Sequence, residues 1–300
     1  VYAFINRLDT AHYVRVEKAF LDPDGNANQI AEIADSLYYD NVVVEIQKLS
    51  TGEVFTLQKV DGNLEGYVRE EGPFAEAPNY LYKIKASEIE LEGEERIRLQ
   101  INRGDNKDLV TAETTVLSDF EPIMNSPASP LNIRYTSFVN VSWNAGPNAR
   151  IFDIRMVFRY KENDPDNPSE FVDKSVTWVM TDDFEREDEN TNRVRFSFLG
   201  EEFYRFLGSA INESENRVRI FDSIDLVITG SGEELVELLR ISRANYEMTS
   251  TPVIPAYTNL SEGLGIFTSR SQVIREDLEL NSIALDSLRD GIHTKNLNFQ

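Results

Sequence analysis

The chain has 300 residues, which is enough to bury a hydrophobic core without disulfides or structural metal ions. Its net charge of −22 repels nucleic-acid phosphates and anionic lipid headgroups, so we expect no nucleic-acid partner and no direct membrane binding. There is no cysteine, which excludes disulfides, thiolate metal sites and cysteine nucleophiles, and only His12 and His293 offer imidazole chemistry.

Alternation of apolar and polar residues is the dominant pattern along the chain, and it predicts half-buried strands. The clearest cases are residues 96–102 and 152–160. Further strands are expected at 1–5, 12–20, 41–49, 53–60, 79–86, 108–117, 133–143, 171–180, 193–199 and 217–228. Many short strands separated by Gly, Asn, Asp and Pro clusters are typical of antiparallel sandwiches and barrels.

Three segments instead show helical periodicity. Residues 201–211 and 233–246 each place apolar side chains on one helical face, which predicts two short amphipathic helices. A third helical pattern runs from about Arg275 to Leu288, where Asn281 and Ser282 are expected to interrupt it.

A proline-rich stretch at 119–130 is typical of a linker, because proline fixes φ and removes a hydrogen-bond donor. We therefore predict a mainly β chain with a few short helices. Residues 1–118 are expected to form a β-sandwich domain, immunoglobulin-like or similar. Residues 131–300 are expected to form a larger β-rich domain that contains the helices at 201–211 and 233–246.

One loop spaces oxygen-bearing side chains as a calcium loop does. Its candidate ligands are Asp22, Asp24, Asn26 and Asn28. The glycine lies at the fourth position of the loop and Ile33 at the twelfth, so the EF-hand pattern fails. A polar hairpin loop is the alternative interpretation, and Ca²⁺ is the only cofactor that the sequence brings into consideration.

No residue set predicts a catalytic centre. Trp143 and Trp178 could stack on sugar rings as a glycan-binding platform, with core packing as the alternative interpretation. His12 lies in an alternating run, where a structural histidine is commoner than a catalytic base, and His293 lies in the polar C-terminal region. We therefore expect a protein without enzymatic activity.

Gly263 and Gly265 flank a single leucine just before Ile266 and Phe267. Glycine adopts positive φ at little cost, so this spacing predicts a sharp turn that returns the two apolar residues to the core.

The run PVIPAYTNLSEGLGIFTSR, residues 252–270, resembles the segment YTNI.nGlGIFssR of a family of Bacteroidota cell-envelope lipoproteins of unknown function. Residues 2–6 and 9–21 are similar to the first two strands of that family, and residues 200–204 and 225–228 also match its pattern. The resemblance implies export, a lipidated N-terminal cysteine and residence at the outer membrane, on its periplasmic or cell-surface side. That cysteine is not among the 300 residues, so the resemblance places it before Val1.

The function expected from the resemblance is that of an accessory or interaction subunit of an outer-membrane complex, such as a TonB-dependent transporter or a secretion machinery. The membrane would be reached only through the lipid anchor. A glycan-binding module or glycosidase-like enzyme is one alternative, and a calcium-stabilised surface adhesin is another.

Overall fold

A computed structural model describes residues 1–18, 31–104, 107–123, 126–165, 167–188, 190–247 and 256–300. The chain divides into two compact units. The first unit comprises Val1–Ser118, Asn148–Arg150 and Ser231–Ser271. The second comprises Asp119–Pro147, Ile151–Gly230 and Gln272–Gln300.

Strands dominate both units, which confirms the predicted mainly β fold with a few short helices. The strands are β1 (Tyr2–Ile5), β2 (Ala11–Val14), β3 (Val43–Lys48), β4 (Val54–Thr56), β5 (Gln58–Asp61), β6 (Tyr80–Lys85), β7 (Arg96–Asn102), β8 (Val110–Thr115), β9 (Glu121–Pro122), β10 (Phe138–Asn144), β11 (Ile151–Asn163), β12 (Phe171–Glu185), β13 (Arg193–Leu199), β14 (Arg219–Ser231) and β15 (Ile266–Leu278). The helices are α1 (Ala34–Leu37), α2 (Ala86–Ile89), α3 (Gly200–Ala210), α4 (Glu233–Glu247) and α5 (Ser282–Asp290), followed by a short 3₁₀ helix (Lys295–Leu297).

The first unit is a β-sandwich. One sheet has the strand order β2-β6-β5 and the other has the order β4-β3-β7-β8. Apolar side chains from both sheets share one hydrophobic cluster, so the sheets are held together by burial of their inner faces.

Strand β7 shows how the alternating sequence produces this arrangement. Ile97, Leu99 and Ile101 are buried in the cluster, whereas the side chains between them lie on the outer face. There, Arg98 donates to Glu113 of the neighbouring strand at 2.6 Å. The buried half of the strand therefore supplies the stabilisation, and the exposed ion pair adds little to it.

The glycine turn lies next to the first strand. Gly263 has φ +89° and Gly265 has φ +135°, and Ile266 and Phe267 after the turn are fully buried. A Cβ atom at Gly265 would lie only 1.7 Å from the carbonyl oxygen of Val1, so no larger residue fits that position. The turn allows Ile266–Ser269 to pair in parallel with β1.

This pairing explains where the observed units differ from the division made on the sequence. That division placed all of 131–300 in the second domain, whereas residues 231–271, including α4, belong to the first unit. The expected linker 119–130 also contributes to a compact unit, because β9 pairs with β10 and Phe120 is buried. Because β1 and its partner residues in β15 are more than 260 positions apart, no local sequence pattern predicts that they pair.

In the second unit, the later part of β15 is followed in sheet order by β14, β11 and β12. A separate sheet has the order β13-β10-β9. The inward residues of β11 form much of the core: Phe152, Ile154, Met156 and Phe158 are each at most 2% exposed. Helices α3 and α4 begin and end within one residue of the predicted bounds.

The third predicted helix is wrong over its first part. Arg275–Leu278 belong to β15, and the helix begins only at Ser282. Asn281 does not interrupt the helix, because its side chain accepts a hydrogen bond from the backbone N–H of Ala284 at 2.9 Å. An asparagine in this position caps a helix N-terminus. The residue that was expected to interrupt a helix therefore marks the start of one.

A buried ion pair holds the C-terminal residues in the second unit. Arg219, with a side chain 2% exposed, donates to Glu162 at 2.8 Å and to the carbonyl oxygen of Leu297 at 2.6 Å. Burial alone would raise the pKa of Glu162, but the hydrogen bonds and charges of Arg219 and Arg217 outweigh this effect and lower the pKa.

Among the described residues, no helix has both the length and the hydropathy that crossing a bilayer requires.

Candidate protein-contact surface

The structure places the two tryptophans in different settings. Trp143 is fully buried, with its ring edge-on to Phe152 at 5.0 Å between centroids, so it cannot stack on a sugar. Trp178 is half-buried, and one face of its ring is stacked on Phe206 at 5.9 Å. Packing against aromatic neighbours accounts for both residues.

The candidate calcium ligands Asp22, Asp24, Asn26 and Asn28 lie outside the described residues. Within the described part of the chain, no group of three or more His, Asp or Glu side chains is placed to hold a metal ion.

The two histidines occupy structural positions. His12 is 2% exposed in the sandwich, and neither ring nitrogen has a hydrogen-bond partner among the described residues. Burial lowers its pKa, and the nearby Asp9 only partly offsets that effect. His293 lies with Nε2 3.2 Å from Oε1 of Glu201, in the first turn of α3.

The two most exposed large apolar side chains among the described residues of the first unit lie in one loop, residues 62–78, which we call the display loop. Leu64 is 88% exposed, Val68 73%, Tyr67 49% and Phe74 43%. Scattered exposed apolar residues are ordinary, but several in one loop make this loop the candidate contact surface of the unit.

This loop is held by a fully buried polar residue, Asn79, which directly precedes β6. Its amide nitrogen donates to the carbonyl oxygen of Tyr67 at 2.7 Å, and its amide oxygen accepts from Arg15 at 2.7 Å. The backbone N–H of Gly62 donates to the carbonyl oxygen of Asn79 at 2.6 Å. The start of the loop is therefore tied to the backbone of Asn79, and the middle of the loop is tied to its side chain.

Further hydrogen bonds fix the interior of the display loop. Asn63 donates to the carbonyl oxygen of Glu76 at 3.0 Å and accepts from the backbone N–H of Arg69 at 3.1 Å. The guanidinium of Arg69 pairs with Glu17 and lies 3.3 Å from the hydroxyl of Tyr38. Asn63 and Arg69 of the loop are thus tied to neighbouring groups, whereas Leu64 and Val68 extend into solvent.

An aromatic groove of about 230 Å³ adjoins the display loop on the outer face of the sandwich. Tyr13 of β2 and Tyr67 of the loop have ring centroids 4.7 Å apart, and Tyr2 and Phe4 of β1 also line the groove. The groove is smaller than the roughly 300–1,000 Å³ usual for small-molecule sites. Its size suits one side chain of a protein partner better than a complete small ligand.

The charge of the display loop defines the partner that would fit it. The loop contains four glutamates and a single basic residue, Arg69, which is already paired with Glu17. Glu65 accepts from Lys83 at 2.5 Å and from Tyr13, and the bond from Lys83 is the main reason that the pKa of Glu65 is lowered. The other three glutamates, Glu70, Glu71 and Glu76, are exposed and give the loop an acidic rim that complements a basic partner, whereas Arg15 and Arg270 line the groove beside it.

Sequence reasoning overlooked the display loop, because its Gly- and Glu-rich composition is typical of a solvated turn. The signal present in the sequence is the group Leu64, Tyr67, Val68 and Phe74, four large apolar residues in a segment that otherwise resembles a surface loop. Only the structure shows that the buried Asn79 bonds the backbone of this segment at Tyr67.

Comparison with known proteins does not assign the chain to a family. No protein-family model matches the chain, and no curated protein is similar to it. Among solved structures, the chain is weakly similar to the C-terminal globular domain of an oligosaccharyltransferase from Pyrococcus abyssi, with 10% identity and a TM-score of 0.20. The match covers 80% of this chain and 39% of that structure. A TM-score this low supports no conclusion about fold or activity.

Proposed function

We propose that this protein acts by binding another protein, as a non-enzymatic accessory subunit of an outer-membrane transport or secretion complex. The observation that carries the proposal is the display loop, in which a polar network around the buried Asn79 accompanies two highly exposed and two half-exposed large apolar side chains. A loop that only connects β5 and β6 would need neither the network nor the exposed side chains.

The partner has a basic face with an apolar centre. The chain carries a net charge of −22, and the rim of the display loop is acidic, so electrostatic attraction selects a face rich in Lys or Arg. Apolar contact with Leu64 and Val68 then supplies affinity by removing exposed hydrocarbon from water.

The location of the complex at the outer membrane, and the lipid anchor, are part of the same proposal. They are supported by the resemblance of residues 252–270 to the envelope lipoproteins, and by no feature of the fold. Metabolic labelling of the full-length protein with a fatty-acid probe, followed by membrane fractionation, tests them separately from the contact surface.

The contact surface is tested by co-purification from native membranes in a mild detergent. The double variant Leu64→Ser and Val68→Ser is expected to lose the partner, because it removes the apolar centre of the surface. Val43→Ser with Val54→Ser is the matched control, since these valines are 43% and 47% exposed elsewhere in the same unit. A photo-crosslinking residue at position 67 should attach to a basic face of that partner.

Recovery of the wild-type protein alone in the soluble fraction would contradict the proposal. Equal loss of the partner from both double variants would also contradict it, because the effect would then not depend on the display loop.

A further inference from the structure

We propose that β12 of the second unit binds an extended, N-terminally basic segment of a partner protein as an additional antiparallel strand. This inference goes beyond the proposed function, because it concerns a different unit and a different mode of contact. It rests on the position of β12 in its sheet, its exposure and its distribution of charge.

Strand β12 is the edge of its sheet. It pairs with β11 from Ile151 opposite Glu185 to Asn163 opposite Phe171. In the sheet order it has no neighbour on the other side among the residues that the structure describes. Alternate backbone N–H and C=O groups along this edge therefore face outward, as they do on any edge strand.

Over Phe171–Val179 this edge lacks two of the features by which proteins usually prevent strand addition, although the strand carries Asp173 and Lys174 and its register with β11 shifts beyond Val179. Edge strands are often short or interrupted by proline, but β12 has 15 residues and contains no proline. Its first five residues, Phe171–Ser175, are exposed on both faces. Val172 is 54% exposed and Val179 49%, so apolar side chains line the edge as well.

The charge of β12 is concentrated at one end. Asp182, Asp183 and Glu185 lie in its last four residues, and Glu187 and Asp188 follow directly. The one basic residue among them, Arg186, is 7% exposed and directs its guanidinium to backbone carbonyl oxygens, including that of Gly146 at 2.8 Å. Solvent at this end therefore meets carboxylates.

This polarity sets the chemistry and direction of the added strand. Antiparallel pairing is slightly more stable per residue than parallel pairing, and it places the N-terminal end of the added strand beside Asp182 and Asp183. Lys or Arg at that end would pair with the carboxylates, and alternating apolar residues would lie against Val172 and Val176, which share one face of the strand. A second copy of this chain is disfavoured as the occupant, because two chains of charge −22 repel each other.

The test uses two short synthetic peptides of identical composition. One has Lys and Arg at its N-terminus followed by alternating Val and Thr, and the other has the reversed order. Amide hydrogen exchange of the full chain is followed by NMR as each peptide is added. The first peptide is expected to protect alternate amides of Phe171–Val179, where the pairing with β11 is regular, namely those that exchange fast in the unbound protein. It should bind roughly tenfold more tightly than the reversed peptide, from about three exposed charge pairs.

The isosteric double variant Asp182→Asn and Asp183→Asn should weaken binding of the first peptide roughly five- to tenfold. Asp286→Asn with Asp290→Asn, exposed on α5 of the same unit, is the matched control and should leave it unchanged. Neither pair touches the display loop, so failure here leaves the proposed function untouched.

Three results would overturn the inference. The first is an absence of added protection on β12 with either peptide. The second is equal binding of both peptides, which would remove the directing role of the acidic end. The third is protection of the same amides without peptide in a chain that elutes as a dimer, which would make a second copy the occupant.

Discussion

Replacing Asn79 with alanine tests whether one buried amide holds the display loop. The change removes two short hydrogen bonds, a neutral one to the carbonyl oxygen of Tyr67 and a charged one from Arg15, both 2.7 Å. A neutral bond contributes about 0.5–1.5 kcal/mol and a charged one about 1.5–3 kcal/mol. The two 3.4 Å contacts, with Asn63 and Arg69, are too long to add much. We therefore expect the free energy of unfolding to fall by about 2–4 kcal/mol.

The assay is equilibrium unfolding in urea at neutral pH, combined with amide hydrogen exchange of the folded protein. Exchange should become faster at Tyr67 and Arg69, whose N–H groups are hydrogen-bonded inside the display loop. Asn140→Ala is the control, because Asn140 is exposed on β10 and its amide oxygen accepts one bond, from Ser197. The Asn140 variant should lower the free energy of unfolding by less than about 0.5 kcal/mol.

The reasoning is refuted if the Asn79 and Asn140 variants are equally stable. It is also refuted if the Asn79 variant loses stability while exchange within the display loop stays as slow as in the wild type. In that case Asn79 would support the sandwich but not the loop, and the fixed display of Leu64 and Val68 would need another cause.

Three further predictions follow from buried or strained positions, each measured by thermal or denaturant unfolding. Gly263→Ala should lower the free energy of unfolding by about 1–2 kcal/mol, because alanine is strained at this positive φ. Gly265→Ala should lower it clearly more, because the added Cβ would also overlap the carbonyl group of Val1. Equal losses of stability in the two variants would contradict this. Arg219→Met should cost about 3–5 kcal/mol by leaving Glu162 buried without its main partner, and adding Glu162→Gln should recover part of the loss. His12 has a pKa below its unfolded value of 6.5, so the unfolded chain binds the extra proton first and stability falls as pH drops below about 6.5. His12→Leu should therefore reduce the loss of stability between pH 7 and 5.5, and an unchanged pH profile would refute the assignment.

Much of the local structure could be predicted from the sequence, because it depends on neighbouring residues. The alternation in 96–102 and 193–199 gives strands with those same bounds, and the apolar face of 201–211 gives α3. The segment around Asn281 was misinterpreted for a local reason: the same side chain that disfavours a helix interior stabilises a helix N-terminus, and the sequence does not distinguish the two uses.

The division into units and the conformation of the display loop depend on contacts between residues far apart in sequence. No periodic pattern indicates that Tyr2 would pair with Ile266, although this pairing brings residues 231–271 into the first unit. The display loop is a similar case. Its apolar residues are visible in the sequence, but the role of Asn79 depends on bonds to Tyr67 and Arg15, which lie 12 and 64 positions away.

The high negative charge and the two exposed surfaces are related physically. An apolar loop and an unpaired strand edge are both aggregation hazards in a neutral protein. Mutual repulsion between chains of charge −22 opposes contact between copies, so both surfaces can stay exposed in the absence of the proposed basic partner. Salt should therefore act in opposite directions on the two processes, since screening weakens attraction to a basic partner and also weakens repulsion between copies. If added salt strengthened binding to the partner, apolar burial alone would account for that contact, and the acidic rim of the display loop would have no part in selecting it.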